Sequence, residues 1–211
     1  MRILVIDTCL GACQVGLFDG ARRVVAASEA MVRGHQERLA PMTAELMAEA
    51  GARFDKLDRI AVTVGPGSFT GLRVGLAFAE GLQLAIGAPL AGIGTLEALA
   101  ASAGGQGLRA GVIDARRGQV YWQAFDGDRP IAQPEAAPAH DAAQALATCA
   151  PQGWRLVGPG ASLLAPFGLG EATELAAPGL QALGRLALAA TPSAELRPLY
   201  LRAPDAQPIA S

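Results

Sequence analysis

The feature that most constrains this 211-residue chain is that part of it occurs twice. Residues 2–24, RILVIDTCLGACQVGLFDGARRV, align without a gap to residues 109–131, RAGVIDARRGQVYWQAFDGDRPI, at an offset of 107. Nine of the 23 positions are identical: Arg2/Arg109, Val5/Val112, Ile6/Ile113, Asp7/Asp114, Gly11/Gly118, Phe18/Phe125, Asp19/Asp126, Gly20/Gly127 and Arg22/Arg129. Each copy reads as a strand ending in Asp, a short loop with Gly, a second strand, and an Asp-Gly turn into a third. A second echo follows, VGPGS at 64–68 and VGPGA at 157–161. Between hairpin and VGPG turn the first copy carries an amphipathic helix, HQERLAPMTAELMAEAG, and the second carries HDAAQALATCA. The second copy is shorter, 43 positions from Asp114 to Val157 against 57 from Asp7 to Val64. The chain therefore reads as two similar α/β halves, residues 1–103 and 104–211, joined around the small-residue run ASAGGQG at 101–107.

The sharpest local signal is GPGSFTGLRVG at 65–75. Its setting is strand, turn, helix. RIAVTV at 59–64 is a buried strand, and Gly65, Pro66 and Gly67 make the turn. Ser68 or Thr70 can cap a helix that runs from Leu72 to about Ile86 and stops at Gly87 and Pro89. No nucleotide loop fits. A Walker A loop needs Gly-Lys-Ser/Thr, but Gly71 is followed by Leu72 and Arg73, and the chain's one lysine is Lys56. Thr70 breaks a GxGxxG fingerprint. In the helix only Arg73, Glu80 and Gln83 are strongly polar, so it must be covered on more than one side. In the preceding helix Leu39, Met42, Leu46, Met47 and Ala50 form the apolar face, and Gly51 ends it.

Composition narrows the function classes. A net charge of −2 and a pI near 5.7 suit poorly a protein that grips nucleic acid unaided. The basic residues are nearly all arginine, so Arg22-Arg23 and Arg116-Arg117 read as solvated surface. MRILVID enters a strand at once, and no apolar run reaches the roughly 18 residues of a membrane span. Cys9, Cys13 and Cys149 have no disulfide framework spacing, so a cytoplasmic location with half-buried, reduced thiols is expected. With only His35 and His140 to assist them, they make no metal site. The tail after Arg202, APDAQPIAS, reads as disordered.

Two βββαβα halves, each with Asp ending its first strand, follow the plan of the actin/hexokinase/heat-shock ATPase superfamily, with a reduced second half. That plan places phosphates between the two hairpins and makes Asp7, Thr8 and Asp114 the nucleotide-binding candidates. The competing reading is that each Asp caps its own hairpin by accepting from neighbouring N–H groups. The loop TCLGAC holds no basic residue to meet a phosphate. Ser68 lacks the G-x-S-x-G elbow, and His35 is followed four residues on by Leu39 rather than a second histidine. No catalytic constellation emerges.

Five elements in order resemble the TsaB (YeaZ) family: ILVIDTC at 3–9, HQERLAPM at 35–42, GPGSFTGLRVG at 65–75, DARRGQVY at 114–121 and RPLYLR at 197–202. The motif residues are Gly65, Pro66, Gly67, Ser68, Phe69, Thr70, Gly71 and Arg73. The resemblance implies a non-catalytic scaffold subunit of the system that makes N6-threonylcarbamoyladenosine in tRNA. It implies pairing with a TsaD-like catalytic subunit, recruitment of a TsaE-like ATPase, and contact with tRNA only through the complex. The resemblance leaves open whether the free chain is a homodimer or a monomer, and implies no membrane partner. The implied pairing surface is Leu39, Met42, Leu46, Leu72, Gly75, Leu76, Ala79 and Gln83. No cofactor is required, and the resemblance leaves open whether ATP or ADP sits at the complex interface. In GIGTLEAL, residues 92–99, Thr95 and Leu99 stand where the catalytic relative has its two metal-binding histidines. The alternatives are a small ATP-binding enzyme of the actin-like class using Asp7 and Asp114, and a metallopeptidase, which the lack of paired histidines opposes.

Overall fold

The computed structural model describes residues 1–202, so the expectation of a disordered tail lies outside the described residues. The first half runs β1 (Arg2–Asp7), β2 (Ala12–Asp19), β3 (Arg22–Ala30), α1 (His35–Glu49), β4 (Arg59–Gly65), α2 (Phe69–Ile86), β5 (Leu90–Gly94) and α3 (Thr95–Ser102). Its five strands lie in the order β3-β2-β1-β4-β5, with β1 antiparallel to β2 and parallel to β4. Strand β1 is buried on both faces, which is why RILVID is continuously apolar instead of alternating. Leu4 and Ile6 pack with Leu39, Met42 and Leu46 of α1 and Leu72, Leu76 and Ala79 of α2. Ile3 and Val5 face the opposite side.

The second half repeats the plan: β6 (Leu108–Arg116), β7 (Gln119–Asp126), β8 (Arg129–Pro130), β9 (Glu135–Pro138), α4 (Ala139–Cys149), β10 (Trp154–Val157), α5 (Ala161–Leu164), β11 (Gly170–Thr173) and α6 (Leu180–Ala189). The order β11-β10-β6-β7-β8, with β9 also on β7, is that of the first sheet. The counterpart of β3 is split into β8 and β9. Pro130 and Pro134 flank the break, and a proline has no N–H to donate to the ladder. The shortening before the VGPG turn shows in α4, 11 residues against 15 in α1, and beyond the turn α5 has only 4 residues where α2 has 18. The hairpins also differ in register. Asp7 pairs with Gln14, but Asp114 pairs with Val120, because a bulge between Asp114 and Arg116 shifts the pairing.

The expected boundary at 103/104 falls between α3 and β6, yet neither half is complete without the other. Helix α3 lies between the sheets, with Leu96 and Leu99 on Ile113 of β6. Helix α6 returns to the first sheet, where Leu183 and Ala187 close the core over Ile3, Val5, Phe18 and Ile93. Arg59 of β4 caps the end of α6, donating from Nη1 to the carbonyls of Ala187 at 2.7 Å and Ala190 at 2.8 Å. Among the described residues no helix is long and apolar enough to cross a membrane.

Candidate functional site

The GPGSFTGLRVG stretch joins β4 to α2. The Ser68 hydroxyl accepts from the Gly71 N–H at 3.3 Å, so the helix begins at Phe69, three residues before the start read from the sequence. Gly67, Gly71 and Gly75 follow at four-residue spacing and meet the loop after β1. A Cβ would stand 2.3 Å from the Cys9 carbonyl oxygen at Gly67, 2.0 Å from the Thr8 carbonyl oxygen at Gly71, and 2.5 Å from Thr8 Oγ1 at Gly75. The Thr8 hydroxyl donates to the Gly71 carbonyl at 2.7 Å, and the Ser68 N–H donates to the Cys9 carbonyl at 2.7 Å. The glycines thus dock α2 onto the first hairpin of its own chain.

That contact seals two nucleotide candidates. Asp7 is fully buried and Thr8 almost so. Asp7 accepts from the Thr63 hydroxyl at 2.8 Å, Gln14 Nε2 at 3.0 Å and the Cys9 N–H at 3.1 Å. Burial pushes its carboxyl above the ordinary 3.8, and those three hydrogen bonds oppose the rise. Asp114 borders solvent and accepts from the Arg116 N–H at 2.7 Å and from Arg116 Nη1 at 3.2 Å. Both aspartates therefore cap their own hairpins, each accepting from the N–H two residues on. A cleft of about 510 Å³ does open between the halves, where the superfamily holds its nucleotide. Asp114, Arg116, Tyr121 and Ser68 reach it; Asp7 and Thr8 do not. Asp7 and Thr8 are sealed away from this cleft, a correction to their placement at its wall, and of the three nucleotide candidates Asp114 alone lines it.

Cys9 and Cys13 are buried deeper than expected. Burial, then the nearby Asp7 carboxylate, pushes the Cys9 thiol up to about 12. Burial also raises Cys13 to about 11, while Cys149 is exposed. Thr95 and Leu99 are core residues one turn apart on α3.

The implied pairing surface requires a second correction. Leu39, Met42, Leu46, Leu72, Gly75, Leu76 and Ala79 are all buried in the chain's own core; of the eight, only Gln83 is partly open. What faces solvent is the opposite side of each helix. On α1 it carries Ala40, Ala44 and Ala48, and on α2 Ala77, Gly81 and Ala85, each set at four-residue spacing. Leu84 beside them is 87% exposed. Because α2 is apolar almost all round, its periodicity does not distinguish inside from outside. The spacing of small residues was the available signal.

RPLYLR closes the molecule. The Leu199 N–H donates to the Val64 carbonyl at 2.7 Å, and Arg202 Nη1 donates to the Ala115 carbonyl at 3.1 Å, so the segment runs from the first half to the second. On its way Tyr200 stacks on Phe69, with ring centroids 5.6 Å apart.

Two copies of one α/β plan, with helices exchanged and a cleft between, define a duplicated protein with the actin/hexokinase/heat-shock ATPase fold. Residues 27–159 match the family described as TsaD, tRNA N6-adenosine threonylcarbamoyltransferase. The Escherichia coli (strain K12) tRNA threonylcarbamoyladenosine biosynthesis protein TsaB is 38% identical over 131 residues, 61% of this chain and 56% of that protein. The likeness thus spans little more than half the length of that relative. An uncharacterised protein of Mycobacterium tuberculosis (strain H37Rv) is 35% identical over 99% of this chain and 95% of its own length. The solved structure of YeaZ from Pseudomonas aeruginosa superposes with a TM-score of 0.75 at 27% identity, covering 94% of this chain and 99% of that one. The chain belongs to the TsaB (YeaZ) family.

Proposed function

We propose that this chain is a non-catalytic scaffold subunit in the synthesis of N6-threonylcarbamoyladenosine in tRNA. It pairs with a TsaD-type transferase and activates it, and the pair recruits a TsaE-type ATPase. The observation that carries the reading is the outer surface of α1 and α2. Two exposed stripes of small residues, Ala40/Ala44/Ala48 and Ala77/Gly81/Ala85, let partner helices approach closely, and Leu84 supplies an apolar anchor at 87% exposure. An unpaired leucine so open, beside half-buried Val74 and Phe78, is surface that a partner would cover. When the transferase is absent, the same faces pair two copies of this chain.

Leu84→Asp tests this reading. A carboxylate at the centre of an apolar contact should weaken pairing with the transferase by about thirtyfold or more, measured by titration calorimetry. At a concentration too low for self-pairing, the melting temperature of the free chain should change little, since the side chain touches little of its own protein. Threonylcarbamoyl transfer by the reconstituted components should fall in parallel. Equal transfer by the transferase with and without this chain would overturn the reading.

A further inference from the structure

The C-terminal segment bridges the start of α2 and the second hairpin as one ridge, and Arg116 of that hairpin lines the cleft. Arg202 fixes the hairpin end of it, donating to the Ala115 carbonyl and to Gln119 Oε1. Two residues back, the Tyr200 hydroxyl accepts from Arg73 Nε at 3.3 Å. The Arg73 guanidinium lies 3.7 Å over the Phe69 ring. At the hairpin tip Arg116 and Arg117 project into solvent. We propose that this ridge, Arg73, Arg116, Arg117, Arg202, Phe69 and Tyr200, binds RNA directly, so that the chain contributes part of the tRNA-binding surface of the complex. The inference rests on the function proposed above and assigns a role for which that function alone gives no residue.

Three observations point to RNA. The first is charge. Four arginines gather here in a chain whose net charge is −2, and among the described residues the one carboxylate bonded to any of them is Asp114. Among those residues neither Arg73 nor Arg117 pairs with a carboxylate, which leaves their guanidinium groups open to phosphate. The second is backbone strain. Arg116 and Arg117 sit in the left-handed region, φ 65° and 55°, where a side chain is disfavoured and glycine would relax the turn. The Arg116 side chain bonds Asp114 across the tip, but among the described residues that of Arg117 has no partner in the fold, so the strained tip points to use of the side chains themselves. The third is aromatic exposure. Phe69 and Tyr200 remain 49% and 45% exposed. Aromatic rings interleaved with guanidinium planes are what unstacked bases and their phosphates meet on RNA-binding surfaces. An acidic protein segment would satisfy the charge but would leave the rings without a role.

The test uses the full chain, alone and assembled with the transferase, and follows binding of fluorescently labelled tRNA by anisotropy across a potassium chloride series. Arg116→Gln/Arg117→Gln should weaken binding at least tenfold near physiological salt. It should also flatten the slope of log affinity against log salt by about 1.5, as expected when two phosphate contacts are lost. Tyr200→Ala should weaken binding about tenfold and leave the slope unchanged, because stacking releases no counterions. Arg22→Gln/Arg23→Gln, at the start of β3, should change neither. The proposal is overturned if folded ridge variants bind tRNA like the parent protein in both settings. It is equally overturned if they lose assembly with the transferase instead, which would make the ridge a protein-docking surface. If the unsubstituted chain fails to assemble, the scaffold reading fails; the ridge then stands or falls on whether the free chain's binding shows the same pattern.

Discussion

Asp7 and Asp114 occupy equivalent positions in a repeat and have become different residues in physical terms. Asp114 is a partly solvated hairpin cap. Asp7 is an ionisable group inside the core whose carboxyl is held above its ordinary 3.8 by burial. A carboxyl with a raised folded-state pKa stabilises the fold fully below the unfolded value and loses that contribution as pH rises through the folded one. Asp7→Asn abolishes the titration. It also places an amide donor against Gln14, whose Nε2 is already committed to the Pro178 carbonyl at 2.9 Å. The substitution should therefore cost about 1–3 kcal/mol near pH 4, from the mismatched donors. That cost should shrink as pH rises, because the parent protein then bears a buried charge. Denaturant unfolding of both proteins across this range checks it; a cost that grows with pH would contradict the assignment. Sequence alone places Asp7 at the end of β1 and leaves open whether it faces a ligand or its own loop. That choice depends on Thr63 and Gln14, which reach it from other strands.

Helix α2 contains glycines that look alike in the sequence and are not. Gly71 abuts the Thr8 carbonyl, so Gly71→Ala pushes a methyl into backbone and should destabilise the chain by about 3 kcal/mol. A methyl added at Gly81 would meet nothing within 4 Å, and Gly81→Ala should stabilise the free chain by about 0.5–1 kcal/mol through helix propensity. Thermal melts of the two variants separate these effects directly. The strands, both long helices and the VGPG turns are legible in the sequence because their period and punctuation are local. The solvent-facing side of α2 is not, since a helix apolar all round gives periodicity no outside to mark. Seven of the eight residues that the family resemblance implies as a pairing surface are core for that reason. A Gly75→Leu substitution, which would test an interface at the inner face, would instead drive a side chain into Thr8.

At the scale of the whole molecule the duplication is visible in the sequence, but the exchange of α3 and α6 is not. Nothing in ALGRLALA states which sheet it will cover; that is settled by the apolar face of β1, β2 and β5 left open on the first half. Since each half supplies a helix to the other, the chain should unfold in one cooperative transition, with calorimetric and van't Hoff enthalpies equal. Resolved melting of two domains would show that the exchanged helices are marginal contributors. Fragments 1–103 and 104–211 should each be poorly folded alone and regain native circular dichroism on mixing.

The return of α6 to the first sheet also sets a timetable for synthesis. The first five strands can pair as soon as they leave the ribosome, but Ile3, Val5, Phe18 and Ile93 stay uncovered until Leu183 and Ala187 emerge. At about 5–20 residues per second, the first half waits on the order of ten seconds with one oily face bare. During that interval the bare face is open to aggregation, and slow translation of the last third would lengthen the exposure.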